Sequence, residues 1–343
     1  MLRGAIVGVG NIAVHGHLPG WQRRPDVEIV AATDTRPAQR TAVASRLPGA
    51  RWYDTVEALF AGAALDFVDI CTPPSSHAPL IRQALERGLH VLCEKPLVGS
   101  LDDLDALRRL AAPGGRVLHT VHNWHHAPIG RRTAELVGGG AIGRVTRVVW
   151  ETLRTRPAAT SEERNGNWRV DPDVAGGGVL TDHGWHVFYV VSRWIGQAPR
   201  AVSARLETRR HTAFSVEDTA TVRLAFEHAT AEILLTWAAD ERRNWAEVTG
   251  TEGVIELQDG TLVLRTNARG AERRWACPPA LSDGSHHPDW FDAVADEFLA
   301  EVTGAAPRGR NLAEASLCVA LEQGARASSL AGGRAVALAG APS

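Results

Sequence analysis

Lysine is almost missing from this chain. Of 37 basic residues in 343, one is a lysine, Lys95, and the rest are arginine. Arginine cannot give up a proton in a protein, whereas lysine can when its surroundings lower its pKa. An isolated lysine is therefore either an accident or a place where arginine cannot work. Long hydrophobic runs are missing too: none approaches the roughly 18 apolar residues a membrane span needs, so no membrane is expected as partner. Net charge is only −2, without the basic surplus of a nucleic-acid or membrane-surface binder. The four cysteines, Cys71, Cys93, Cys277 and Cys318, form no CxxC pair and no disulfide framework. Reduced thiols in the cytoplasm are expected. The opening MLRGAIVGVG has no small-residue cleavage site and runs straight into a glycine loop, so it reads as mature structure. No repeat, low-complexity tract or charge run is present. What remains is a globular composition, 44 % hydrophobic, at a length that suits two domains.

Residues 3–9 read as a buried strand. Gly8-x-Gly10-x-x-Ala13 follows and opens a helical stretch to about Arg24. Val27–Thr33 is a second apolar strand, ending at Asp34. Strand, glycine turn, helix, strand and acid make the dinucleotide-binding βαβ unit. Gly8 permits the tight turn, and Gly10 lets the backbone approach a pyrophosphate. The helix start around Asn11 and Ile12 supplies N–H groups for the phosphates. Asp34, followed by Thr35, should bond the adenosine ribose hydroxyls and repel a 2′-phosphate, which favours NAD. Arg36 could bind that phosphate instead, which leaves NADP open. Further strands are read at Phe67–Thr72, His90–Cys93 and Arg116–Val121, with a helix from about Ser76. Ligands sit at the carboxyl ends of such strands. There stand Thr72-Pro73-Pro74, with His77 fixing the loop, and Glu94-Lys95-Pro96. The position of Lys95 favours catalysis over accident.

From about residue 144 the pattern alternates apolar and polar residues, with turn signals such as Asp259-Gly260. It predicts a mostly antiparallel sheet of about six strands, one face of it solvated or covered by a partner subunit. Helices are predicted at about 129–138, 179–194, 290–303 and 312–330. Gly176-Gly177-Gly178 feeds the second of these. Asp182 and His186, four residues apart, share a face near its start. A carboxylate beside an imidazole can orient it as a general base; an ordinary surface pair would look the same.

At this point the chain resembles the glucose–fructose oxidoreductase, inositol dehydrogenase and rhizopine-catabolism (Gfo/Idh/MocA) oxidoreductases. The resemblance runs nearly end to end. It rests on the glycine loop, Thr72-Pro73-Pro74-x-x-His77, Glu94-Lys95-Pro96, Trp168-Arg169 and Gly176-Gly177-Gly178-x-Leu180-x-Asp182-x-Gly184-x-His186. Val216-Glu217-Asp218-Thr219, Thr249-Gly250-Thr251-Glu252-Gly253 and Gly332-Gly333-Arg334-x-Val336 also fit. The resemblance implies an α/β fold: an N-terminal Rossmann parallel sheet over 1–122, and a C-terminal α+β domain with an open, mostly antiparallel sheet over 123–343. That second sheet often forms the interface of a homo-oligomer. It implies hydride transfer between NAD(P) and a hydroxyl of a sugar, cyclitol or related polyol. The family's catalytic lysine, aspartate and histidine map onto Lys95, Asp182 and His186. His186 takes the hydroxyl proton, Lys95 hydrogen-bonds the same oxygen, and Asp182 binds a neighbouring hydroxyl. Competing implications are a biosynthetic reductase of a nucleotide-linked sugar or aminocyclitol, redox-assisted glycoside cleavage with retained NAD, and a non-catalytic NAD(P)-binding regulator. The intact triad argues against the last.

One segment departs from the family. Where many relatives read Asn-x-Arg-Phe-x-Pro, this chain reads Asn123-Trp124-His125-His126-Ala127-Pro128. Loss of the arginine favours neutral polyols. Asn123, Trp124, His125 and Trp168 are expected to touch substrate, the indoles offering apolar area to a sugar's C–H face. His122, His125 and His126 invite a metal reading, which Pro128 opposes by arguing against a helix there, and no metal is expected. Cys71 and Cys93 end strands and read as inert buried thiols.

Overall fold

The computed structural model describes residues 1–159, 166–267 and 270–338. It contains two compact units. Among the described residues, Met1–Val121 and His286–Ala315 belong to the first, and those of 122–159, 167–285 and 316–338 to the second.

The first unit is built on six parallel strands: β1 (Leu2–Val7), β2 (Val27–Thr33), β3 (Arg51–Tyr53), β4 (Phe67–Ile70), β5 (His90–Cys93) and β6 (Leu118–Thr120). Their order is β3-β2-β1-β4-β5-β6, the doubly wound arrangement in which the order reverses beside β1. Buried on both faces, β4 and β5 carry four buried residues each, which is why they read as continuous apolar runs. The helix after β1 starts with a wide π-type turn, Ala13–His17, and continues to Gln22. The strand at Arg51–Tyr53 is not in the sequence reading, because three residues are too few to show a period.

Residues 286–315 join this first unit, whereas the sequence reading placed everything beyond 123 in the second domain. The reason is packing. Helix Pro288–Thr303 buries Phe291, Val294 and Phe298 in one core with Ile6, Trp21, Phe67 and Leu92. Each such side chain contributes roughly 1.5–3 kcal/mol. Asn311 then covers β6: its side chain accepts from Thr120 N (2.8 Å) and donates to Thr120 O (2.9 Å).

The second unit holds nine strands: β7 (Val145–Leu153), β8 (Ala201–Glu207), β9 (Thr219–Ala225), β10 (Thr230–Thr236), β11 (Arg243–Gly250), β12 (Gly253–Gln258), β13 (Thr261–Thr266), β14 (Glu272–Ala276) and β15 (Val336–Ala337). Their order is β14-β13-β12-β11-β7-β10-β9-β8-β15. The sheet is mixed: β7 and β10 run parallel and every other pair antiparallel. The expected count of six was too low. Turns at Thr251-Glu252 and Asp259-Gly260 cut one alternating stretch into β11, β12 and β13, with Asp259 taking a φ of 50°. On one face Val148, Trp150, Ile233, Leu235, Ala246 and Val248 are buried; the other carries half-buried Val149, Leu153, Leu234 and Trp245 among charged residues. Helices Pro128–Gly138 and Trp185–Ile195 belong to this unit.

Candidate functional site

In the first unit the glycine loop is shaped as a dinucleotide turn. Gly8 has φ +90°, and a Cβ there would meet Thr72 Cγ2 at 2.7 Å and the Cys71 backbone at 3.0 Å. Gly10 has room: a Cβ would find only Arg36 Nη2, at 3.8 Å. Asn11 is exposed and Ile12 half-buried at the mouth of the helix. These features fit a pyrophosphate held by loop and helix-start amides.

Asp34 ends β2 and ties the region together. Its Oδ2 accepts from Val9 N (2.7 Å) and Arg36 Nη2 (2.9 Å), and its Oδ1 accepts from Arg36 N and Nε (2.8 Å each). Burial alone would raise the Asp34 pKa, but the Arg36 and Val9 bonds outweigh it and hold the carboxyl below its usual range. Asp34 and Arg36, read in sequence as rivals for cofactor choice, are thus one ion pair. Thr35 between them is exposed.

Lys95 follows β5 and is half-buried. Its backbone N–H donates to Glu94 Oε2 (3.0 Å). Glu94 Oε1 lies 3.0 Å from His17 Nε2, and His17 Nδ1 lies 2.9 Å from Asp69 Oδ2. Trp21 Nε1 donates to the same Asp69 oxygen (2.7 Å), and Phe291 stacks on the imidazole at 4.1 Å. Burial by itself lowers the His17 pKa; Asp69 and Cys71 outweigh it and raise it well above the ordinary histidine value. Burial would raise Glu94, but His17 and Lys95 hold it below the usual carboxylate range. The result is an imidazolium between two buried carboxylates, one of them bonded to the catalytic candidate. His77 is wholly buried, its ring nitrogens each 2.8 Å from a carbonyl oxygen, Thr72 O and Pro96 O. It joins the Thr72-Pro73-Pro74 loop to the loop of Lys95. Burial pushes the Cys71 thiol up to about 12 and the Cys93 thiol well above its ordinary value, so neither is a thiolate at neutral pH.

In the second unit, Asp182 and His186 stand at the start of one continuous helix. It opens with a π-type turn, Leu180–Gly184, and runs on to Ile195. Glu217, just before β9, holds this start: its Oε1 accepts from Gly178 N (3.0 Å) and Leu180 N (3.3 Å). Arg326 Nη2 bonds Thr181 Oγ1 (2.7 Å) and pairs with Glu217 and Glu322. An ideal Cβ on Gly178 would sit 1.9 Å from Glu217 O, so only glycine fits.

His186 is buried and held by two aromatic residues. Trp124 lies flat against its ring, with centroids 4.5 Å apart and planes within 5°. Its Nδ1 lies 3.2 Å from Tyr189 Oη, and that hydroxyl oxygen accepts the Trp124 N–H (2.8 Å). The carboxylate of Asp182 lies 3.5 Å from His183 Nε2. Asn123, Trp124 and His125 lie in or beside the short 3-10 turn Trp124–His126. His122 is 4.2 Å from the Tyr189 ring, and His125 meets that ring edge-on at 5.7 Å. Trp168 carries the Arg169 guanidinium over its ring at 4.3 Å.

Two residues of this region escaped the sequence reading. Tyr189 reads as one more apolar position of a helix, although as one of two tyrosines it was the rarer signal. Arg154 follows β7 and is buried, donating to Leu153 O (2.8 Å) and Arg243 O (3.1 Å). Burial and Arg242 lower its pKa to about 10, against the pull of Asp182. Arg154 and Arg242 thus both stand in the field of Asp182.

Comparison with known proteins places both halves. Residues 2–122 match the family described as "Oxidoreductase family, NAD-binding Rossmann fold". Residues 131–256 match the "GFO/IDH/MocA C-terminal domain". A D-xylose 1-dehydrogenase (NADP(+)) 2 of Haloferax volcanii is 33 % identical over 60 % of this chain and 60 % of its own length. A D-apiose dehydrogenase of Paraburkholderia graminis is 26 % identical over 82 % of this chain and 74 % of its own. Among solved structures, GenD2 from gentamicin A biosynthesis, in complex with NAD, is similar with a TM-score of 0.83 at 26 % identity, covering 99 % of this chain and 97 % of GenD2.

Proposed function

The chain belongs to the GFO/IDH/MocA oxidoreductase family, and on that premise we propose that it is a dehydrogenase moving a hydride between NAD(P) and a carbon that bears a hydroxyl in a sugar, cyclitol or related polyol. The observation that carries this reading is the pair on one helix start: Asp182, and His186, whose ring stacks on Trp124 and whose Nδ1 lies 3.2 Å from Tyr189 Oη. The first unit takes the cofactor, through residues 1–122, and the second unit takes the substrate. When bound, NAD supplies the hydride acceptor. His186 accepts the hydroxyl proton, Lys95 hydrogen-bonds the same oxygen, and Asp182 binds a neighbouring hydroxyl. Asp34 favours NAD over NADP, since a 2′-phosphate would meet a carboxylate held ionised. The xylose and apiose dehydrogenases and the NAD complex of GenD2 support the substrate class and cofactor.

A second reading takes a charged or nucleotide-linked sugar as substrate. Arg154 and Arg242 beside Asp182 favour it, in place of the arginine missing from 123–128. A panel of aldoses, polyols, inositols, sugar acids and nucleotide-linked sugars with NAD and NADP, followed at 340 nm, decides between them. Reduction of NAD by a neutral polyol supports the first; reduction by anionic sugars alone supports the second. The enzyme is further proposed to act in the cytoplasm as a homo-oligomer joined through the second-unit sheet. Among the described residues no helix is long and apolar enough to cross a membrane.

A further inference from the structure

We propose that His17 is a positioning residue for Lys95: anchored at one ring nitrogen by Asp69, it grips the Glu94 carboxylate with the other, and Glu94 in turn holds the lysine's backbone. The inference rests on the reading of Lys95 as a group that touches the reacting oxygen.

The chain of contacts runs through the core of the first unit. His17 ends the π-type turn Ala13–His17 and is buried. Its Nδ1 lies 2.9 Å from Asp69 Oδ2 on β4, and its Nε2 lies 3.0 Å from Glu94 Oε1, just past β5. The other Glu94 oxygen accepts the Lys95 backbone N–H at 3.0 Å. Each ring nitrogen of His17 thus faces a carboxylate oxygen. An ionised carboxylate only accepts, and a neutral imidazole has one N–H. The two N···O lines need two hydrogens, which the imidazolium supplies. The raised pKa of His17 and the lowered pKa of Glu94 agree with that count.

The surroundings hold this arrangement in place. Trp21 Nε1 donates to Asp69 Oδ2 at 2.7 Å, and Phe291 stacks on the imidazole. The other titratable groups facing the cluster are Cys71, whose Sγ is 3.2 Å from His17 Nδ1, and Cys93, His77 and Lys95, each within the field of Glu94. Burial keeps both thiols protonated and lowers His77, which stays neutral. His17 therefore supplies the positive charge that faces Glu94 inside the core. Three buried charges are a poor way to stabilise a sheet, since an apolar trio of similar volume is often at least as stable. As a device that serves Lys95 they have a task. With His17 present, Glu94 is ionised through neutral pH and its bond from the Lys95 N–H is charge-assisted. Without His17, burial is left to raise Glu94, the carboxylate takes a proton, and the bond weakens.

The scarcity of lysine supplies the test. The chain has one lysine, so 15N-lysine labelling of the full chain gives one backbone amide signal, that of Lys95. In the wild type its proton shift is expected to hold constant between about pH 8 and about pH 5. In His17→Gln it is expected to move across that range, with a midpoint above the ordinary carboxylate value of about 4.3. In the double variant His17→Gln/Glu94→Gln the movement should vanish. Turnover should follow the same titration: kcat of His17→Gln is expected to be lost toward acid with the midpoint of the amide, a link that a merely structural role for His17 would not create. A Lys95 amide that stays still in His17→Gln overturns the proposal, as does a movement that survives Glu94→Gln. If His17→Gln folds poorly, the wild type decides. In 15N-histidine spectra at about pH 8, the ring with a nuclear Overhauser contact to Phe291 is expected to be protonated at both nitrogens; a neutral ring there overturns the proposal. If the amide responds as expected but no sugar or polyol is oxidised, the positioning stands and the functional reading fails.

Discussion

Single residues are expected to carry the cofactor preference and the charge balance of the first unit. Asp34→Ser removes the carboxylate that a 2′-phosphate would meet, along with the 2.8 Å ion pair to Arg36. It is expected to weaken NAD and strengthen NADP; a wild type that already prefers NADP would make Arg36 the determinant instead. His17 is a different case. Its pKa is raised, so its contribution to stability is complete below the unfolded value of about 6.5 and is lost as pH rises through the higher native value. Glu94 is lowered, so its contribution is present above the unfolded carboxylate range and lost as pH falls through the native value. The cluster is therefore intact across neutral pH. His17→Ala leaves two buried carboxyl groups without their partner and is expected to cost about 3–5 kcal/mol at pH 7, less in acid, where the Glu94 contribution is already lost in the wild type. Urea unfolding at pH 5 and pH 7 measures this; equal midpoints for variant and wild type at pH 7 would refute it. Asp34, Lys95, Asp182 and His186 were legible in the sequence because each ends a strand or starts a helix beside glycine. The His17 cluster was not, because His17, Asp69 and Glu94 are up to 77 positions apart and meet only when β1, β4 and β5 lie side by side.

At the scale of elements, both candidate helices begin with π-type turns, over Ala13–His17 and Leu180–Gly184. Such turns are rare and gather at functional sites. Nothing in an apolar period announces them, so the sequence predicted plain helices. The helix start at Gly178 depends on what holds it. Gly178→Ala drives a methyl into Glu217 O and is expected to cost roughly 1–3 kcal/mol. It should also lower turnover while calorimetry finds the NAD affinity of the first unit unchanged. A variant of wild-type turnover would mean that the helix start tolerates displacement. Strands with both faces buried were easy to place; β3 and β15, of three and two residues, were too short to register. The sheet of the second unit was recognised from its alternation, but its strand count needed the two turns that split β11 to β13.

For the whole molecule, the open face of the second-unit sheet sets the expected assembly. Val149, Leu153, Leu234 and Trp245 stand on it among Arg147, Glu151 and Glu232, a mixture that suits a contact between copies better than free surface. Light scattering at micromolar concentration should find a dimer or larger, and Leu234→Arg should shift it toward monomer; a monomeric wild type would refute the assignment. The sequence alone could not have assigned 286–315 to the first unit, since the pairing of Phe291 and Phe298 with Trp21 and Phe67 is a long-range choice among apolar helices. The central claim is hydride transfer assisted by one lysine and one histidine. Turnover of Lys95→Arg, with the Kd for NAD measured in the same preparation by tryptophan fluorescence, tests it most directly. The substitution keeps the charge but not the proton chemistry. Turnover is expected to fall by about 10²- to 10⁴-fold with NAD binding retained; a variant that keeps most of its turnover would contradict the role given to Lys95.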